Sequence, residues 1–232
     1  MKNLKIVLAA AAALSLLPVG LPAQGGHGGG NGGGNGGNGK IITYINTLPK
    51  QTVSAAEKAD LLKMRQEEKL ARDVYKALYY FWKLPVFNNI AKAEQAHMDL
   101  VKVILDRYGI PDPLKSDAIG VYKDQIYSDL FVILVVYGAQ SQTNALMVGA
   151  FIEDLDIEDL LVALKVSDNR DIDTVYQNLC KGSRNHMRAF YGQLKAKNVT
   201  YKPYFISQTY LNWILSTKWE RGAVDENGKL LP

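Results

Sequence analysis

Four long stretches of this chain repeat apolar residues at helical spacing, and each breaks its apolar stripe with an acid or a histidine near mid-length. That period is the mark of an amphipathic helix, so the stripes must pack against one another. Ser54-Ala-Ala-Glu57 spells a capping box that opens the first helix. It runs to about Trp82 with the stripe Leu61, Met64, Glu68, Ala71, Tyr75, Leu78. Pro85 interrupts, and a second helix is predicted from about Asn88 to Tyr108, striped by Ile90, Glu94, His97, Val101, Ile104 and Tyr108 and ended by Gly109 and Pro111. A third region starts near Asp124, loosens at Gly138-Ala-Gln-Ser, and continues from Gln142 to about Lys165 with Leu146, Gly149, Glu153, Asp156 and Leu160 on its stripe. The fourth, about Ile172 to Ala196, carries Ile172, Tyr176, Leu179, Ser183, His186, Phe190 and Leu194. Pro111 to Lys123 is long enough to cross the bundle rather than turn tightly. Ser207 to Trp219 gives one more short amphipathic piece before a polar tail.

An acid on a core-facing stripe needs a physical reason, because an unpaired buried carboxylate is costly. Glu68, Glu94, His97, Glu153 and His186 all stand where apolar residues are expected. Glu94-Gln-Ala-His97 places its acid and imidazole on one helix face. A divalent cation would compensate the carboxylates and give the imidazoles something to ligate, as helix bundles do with two-metal sites. Mixed carboxylate and imidazole donors suit iron, manganese or zinc better than calcium. Glu68 competes with its neighbour Glu67 for the inward face, and Glu153 with Asp154. Asp156 offers a further carboxylate or, in Asp156-Ile-Glu-Asp159, an N-cap for a new helical turn. His186 reads as a ligand or as a core histidine bonded to a carbonyl.

The first residues have another character. Lys2 and Lys5 precede the apolar run Ile6 to Leu17, and Leu21-Pro22-Ala23 follows, the layout of a signal peptide over 1–23 and hence of export to a periplasm or the medium. Residues 24–40 are almost all Gly and Asn, a composition that reads as a flexible linker. The remaining two units are the bundle at 41–198 and a C-terminal extension at 199–232. Loss of the leader lowers the formal charge from +4 to +2, and no basic run stands out, so nothing argues for a nucleic-acid partner. No stretch reaches the length of a membrane span. Of the three histidines, only His27 lies outside the striped segments. Cys180 is the single cysteine, which excludes an intrachain disulfide and reads as a buried thiol.

Glu68-x-x-Ala-Arg-x-x-Tyr75 resembles the first-helix motif of rubrerythrins and other ferritin-like proteins, and Glu94-x-x-His97 their second-helix ligand pair. More closely, Glu67-Glu-Lys-Leu-Ala-Arg-Asp-Val-Tyr75, Leu84-Pro-Val-Phe-x-Asn-Ile90, Glu94-Gln-x-His-Met98 and Gly182-Ser-Arg-Asn-His186 resemble the DUF2202 family of ferritin-like proteins. The resemblance covers about Ala55 to Leu194, with a similar ending from Ile206 to Gly222. It implies an all-α, ferritin-like four-helix bundle with a long crossover between helices two and three. Carried over by position, Glu68, Glu94, His97, Glu153 and His186 would be ligands. Ser183 stands where the usual di-iron pattern has a second Glu-x-x-His acid, and Asp156 is the residue placed to replace it.

The expectation is therefore an exported metalloprotein with a di-iron or di-manganese centre, redox-active toward oxygen or peroxide. Zinc is the lesser choice of metal. No rubredoxin-like cysteine pair is present to deliver electrons, so the electron donor is unassigned. A homo-oligomer is compatible with the sequence, although the linker and tail do not suit a ferritin-type shell. The rival readings are a metal-free or mononuclear bundle that acts as a binding or structural module, and a zinc hydrolase.

Overall fold

The computed structural model describes residues 36–232. The signal-peptide expectation and residues 24–35 of the Gly/Asn tract lie outside the described residues. Among the described residues the chain forms seven helices: α1 (Gly36–Thr47), α2 (Ala55–Trp82), α3 (Pro85–Arg107), α4 (Gln125–Gly138), α5 (Gln142–Val166), α6 (Arg170–Ala196) and α7 (Gln208–Ser216). Sequence periodicity had no place for α1, because its first turn is Gly and Asn. Its apolar residues Ile41 and Ile45 are buried where it crosses α3 and α6, and the Asn38 amide donates to the Ala96 carbonyl at 2.9 Å.

The helix ends follow local chemistry. The capping box opening α2 is formed, with Ser54 Oγ accepting from the Glu57 amide at 3.2 Å and Glu57 Oε2 accepting from the Ser54 amide at 2.8 Å. Lys83 closes α2 in the left-handed conformation (φ 53°), its amide donating to Tyr79. Pro85 does not delay the next helix, as the reading from Asn88 supposed. It is the first residue of α3, where its missing N–H costs nothing. Asp124 and Ser141 cap α4 and α5.

Four long helices make the bundle. A two-residue link pairs α2 with α3, and residues 167–169 pair α5 with α6, each an antiparallel hairpin. α2 also packs on α5 and α3 on α6, which closes the square. The expected long crossover is residues 108–124 plus α4, which lies against α2 and α5. A buried charge network on α2 clasps it. Lys69 bonds Asp73 and the Ala118 carbonyl, and its ammonium lies 4.4 Å from the Tyr122 ring centre. Arg72 bonds Asp73 and Asp117, and Asp73 accepts from Gly120 N and Tyr122 Oη.

The C-terminal segment is tied to the bundle in the same manner. Asp154 on α5 accepts from the amides of Tyr204, Phe205 and Ile206 and from Tyr201 Oη. Asn178 and Asn185, two turns apart on α6, each exchange two hydrogen bonds with the tail backbone, at Val224 and at Glu220. The tail then folds back through an antiparallel bridge between Val224 and Leu230. Among the described residues no helix is long and apolar enough to cross a membrane.

Candidate metal centre

The centre lies between the four long helices, and each supplies at least one side chain at mid-length. Glu68 comes from α2, Glu94 and His97 from α3, Glu153 from α5 and His186 from α6, all buried. Their donor atoms form two groups that share Glu94: Glu68, Glu94 and His97 on one side, and Glu94, Glu153 and His186 on the other. Within each group the donor atoms lie within 4.8 Å of one another. Glu94 Oε2 is 2.8 Å from His97 Nδ1, and Glu94 Oε1 is 2.9 Å from His186 Nδ1. Glu68 Oε2 lies 3.2 Å from His97 Nδ1, and Glu153 Oε2 lies 3.4 Å from His186 Nδ1.

Of these contacts the one between Glu68 and His97 is a hydrogen bond, and the other three are close but poorly aligned for one. Both oxygens of Glu94, Oε2 of Glu153 and Nδ1 of His186 are buried without a hydrogen-bond partner. Native interiors satisfy nearly all such atoms, so four orphans converging on one small volume need an explanation. Donors that point at a common centre rather than at one another are what a bound cation requires.

The electrostatics state the same demand. Burial pushes the Glu68 carboxyl up to about 7 against the pull of His97. It does the same to Glu153, also to about 7, against His186. Burial acts on Glu94 too, yet the two imidazoles outweigh it and hold that carboxyl below the usual range. Burial would lower His97, but Glu68 and Glu94 lift it to about 9. His186 is raised well above its ordinary value by Glu94 and Glu153 against burial. The cluster holds more acid than its two imidazoles neutralise.

Asp156 is buried one turn beyond Glu153 but belongs to neither group. Burial first, and then Glu68 and Glu153, push its carboxyl well above the ordinary value. It lies inside the unbroken α5, so it caps no helix. Ser183 contributes nothing to the centre: its hydroxyl donates back to the Leu179 carbonyl of its own helix at 3.2 Å. The neighbours of the ligand-type acids have separate tasks, Asp154 holding the C-terminal segment and Glu67 facing Lys63 and Asp159. Arg72 serves the crossover. Tyr75 does reach the centre. It donates to Glu153 Oε1 at 2.5 Å from a cage formed by Phe87 and Phe190.

Gly182 is the residue that sequence reading passed over. A Cβ there would stand 2.6 Å from His97 Cε1, so the absent side chain is what lets the imidazole lie against α6. A glycine interrupting a strong helical stripe was the available signal.

The profile of DUF2202, an uncharacterized protein domain, matches residues 57–218, a span that contains every residue of the centre. The chain belongs to the DUF2202 family. Among DUF2202 relatives, the uncharacterized protein MJ0754 of Methanocaldococcus jannaschii is 52% identical over 182 residues, which cover 78% of this chain and 98% of the relative. The crystal structure of that hypothetical protein superimposes with a TM-score of 0.73, covering 75% of this chain and 99% of the other. The DUF2202 fold seen here is therefore shared by a solved structure at high identity.

Proposed function

We propose that this DUF2202 protein is an exported, ferritin-like metalloprotein that holds two divalent ions, iron or manganese in preference to zinc. Glu68, Glu94 and His97 would hold one ion and Glu94, Glu153 and His186 the other, with Glu94 shared. The observation that carries this reading is the set of four orphaned donor atoms on Glu94, Glu153 and His186, all buried between four helices. The charge fits as well. Two divalent ions match the four carboxylates of Glu68, Glu94, Glu153 and Asp156 and leave both imidazoles free to ligate in the neutral form. When bound, such a pair supplies one-electron steps toward oxygen or peroxide.

The chain's own residues set the conditions for that chemistry. Tyr75 fixes one oxygen of Glu153 and leaves the other directed inward. Gly182 makes room for the His97 ring. The apolar residues around the cluster, Tyr75, Phe87, Leu146 and Phe190 among them, exclude bulk water and strengthen every charge interaction inside. Export rests on the signal-like residues 1–23.

Metal content by elemental mass spectrometry tests the proposal. The wild-type chain is expected to carry about two equivalents of iron or manganese, and Glu94→Ala/His97→Ala to lose both. One equivalent of zinc would replace the redox reading with a mononuclear one. A folded chain that takes up no iron, manganese or zinc would leave a bundle with a polar core. That second reading has its own support, since each imidazole lies within ion-pair distance of two carboxylates.

A further inference from the structure

A small cavity lies beside the centre, between α2, α4 and α5. Two acids line it, Glu67 and Asp156, and every other lining residue is apolar or aromatic, among them Tyr127, Leu130, Leu134 and Phe151. Both acids are also attached to the centre's own wall. Glu67 precedes the ligand-type Glu68, and Asp156 stands one turn from Glu153 on α5. Glu67 Oε2 is buried with no hydrogen-bond partner, although Lys63 lies 3.5 Å from its other oxygen. Ile126 and Leu155 are only half-buried, so the cavity approaches solvent between α4 and α5.

We infer that this cavity is a pocket for a small, uncharged, weakly polar molecule of dioxygen size, and the antechamber through which that molecule reaches the carboxylate and histidine cluster. Size sets the class of occupant. The cavity volume is about 30 Å³, whereas organic ligands occupy pockets of roughly 300–1,000 Å³. A single water needs about 10–15 Å³ by the same kind of measure, so the space holds a diatomic molecule or a pair of waters. Away from Glu67 and Asp156 its walls are apolar, which favours the diatomic there, since a water would find polar partners only beside the two acids. Position sets the role. Asp156 lines the cavity and lies within electrostatic reach of Glu68, Glu153 and Glu94 of the centre, while half-buried Ile126 and Leu155 line the same space. The pocket rests on its own geometry, while its service as an antechamber rests on the two-ion reading proposed above.

Xenon, a probe of small apolar cavities, separates the two. Crystals of the full chain under xenon pressure are expected to show one atom between α4 and α5 in contact with Leu130. Leu130→Trp, which fills the space, should lose that atom, and Leu130→Ala, which enlarges it, should keep it. In iron-loaded protein, Leu130→Trp should slow oxidation of the ferrous ions by dissolved oxygen by about tenfold with iron content unchanged, and Leu130→Ala should not slow it. Absence of xenon from the wild-type cavity would overturn the pocket. A wild-type oxidation rate in Leu130→Trp, with xenon lost and iron retained, would overturn the antechamber. A chain that takes xenon but binds no iron would overturn the two-ion reading, and the antechamber with it, while upholding the pocket.

Discussion

Gly182 on α6 lies so close to the His97 ring on α3 that a Cβ at position 182 would overlap Nε2 and stand 2.6 Å from Cε1. The ring has little freedom to retreat, because Glu68 and Glu94 contact it on its other nitrogen. Gly182→Ala therefore sets two effects against each other. Alanine gains about 1 kcal/mol of helix propensity, and overpacking costs about 1–3 kcal/mol. The expected outcome is a small loss of stability in urea melts and a clear loss of metal content. Metal content equal to wild type would show that the ring has room to move.

Tyr75 donates the hydrogen bond that Glu153 Oε1 accepts at 2.5 Å. Tyr75→Phe keeps the aromatic packing on Phe87 and Phe190 and leaves a buried carboxylate oxygen unpaired. The metal-free protein should lose about 1–3 kcal/mol of unfolding free energy. Chemical denaturation with and without bound metal checks this, and metal should recover part of the loss by binding only the folded state.

The tail is held by amide-to-backbone pairs, so its attachment should fail at single residues. Asn178→Leu removes both bonds to Val224 and leaves that buried backbone pair without partners. A loss of about 1–3 kcal/mol is expected, together with faster proteolysis after Arg221. Limited proteolysis followed by intact-mass measurement reads the second effect directly. Cleavage at the wild-type rate would place the tail's attachment elsewhere.

Glu220 carries the acid dependence of the same segment. Burial raises its carboxyl, but the guanidinium groups of Arg184 and Arg188 outweigh that and hold it below the usual value. A carboxyl lowered in the folded state stabilises fully above its unfolded value of about 4.3 and loses that contribution as pH falls through the folded value. The tail should therefore loosen only in acid, below about pH 4.3. Trp219 fluorescence followed from neutral pH downward would report it, and Glu220→Gln should flatten the acid limb.

Much of this was legible along the chain. Ser54 and Glu57 announce the first bundle helix, and the stripes nominate Glu68, Glu94, His97, Glu153 and His186 for the interior, with Glu67 and Asp154 as rivals for two of those places. The structure finds all five buried. The crossover clasp was not legible. Lys69 and Asp73 look like surface charge, and their burial with Arg72 depends on a loop whose course local sequence does not set. Helix α1 was hidden for a related reason. Its opening glycines have poor helix propensity, and packing of Ile41 and Ile45 on α3 and α6 supplies what local preference lacks.

Adjacent acids mark the boundary between the two kinds of information. Hydrophobic period alone determined that this chain forms a helical bundle with carboxylates and imidazoles in its interior. It left Glu67 against Glu68, and Glu153 against Asp154, undecided. Neighbours on a helix differ by about 100° in direction, and a helix packed on several sides buries both. Only the tertiary structure sent Glu68 and Glu153 to the centre, Glu67 to a cavity and Asp154 to the C-terminal segment. Each destination belongs to a different neighbouring element, and which element stands where is a property of the packed fold.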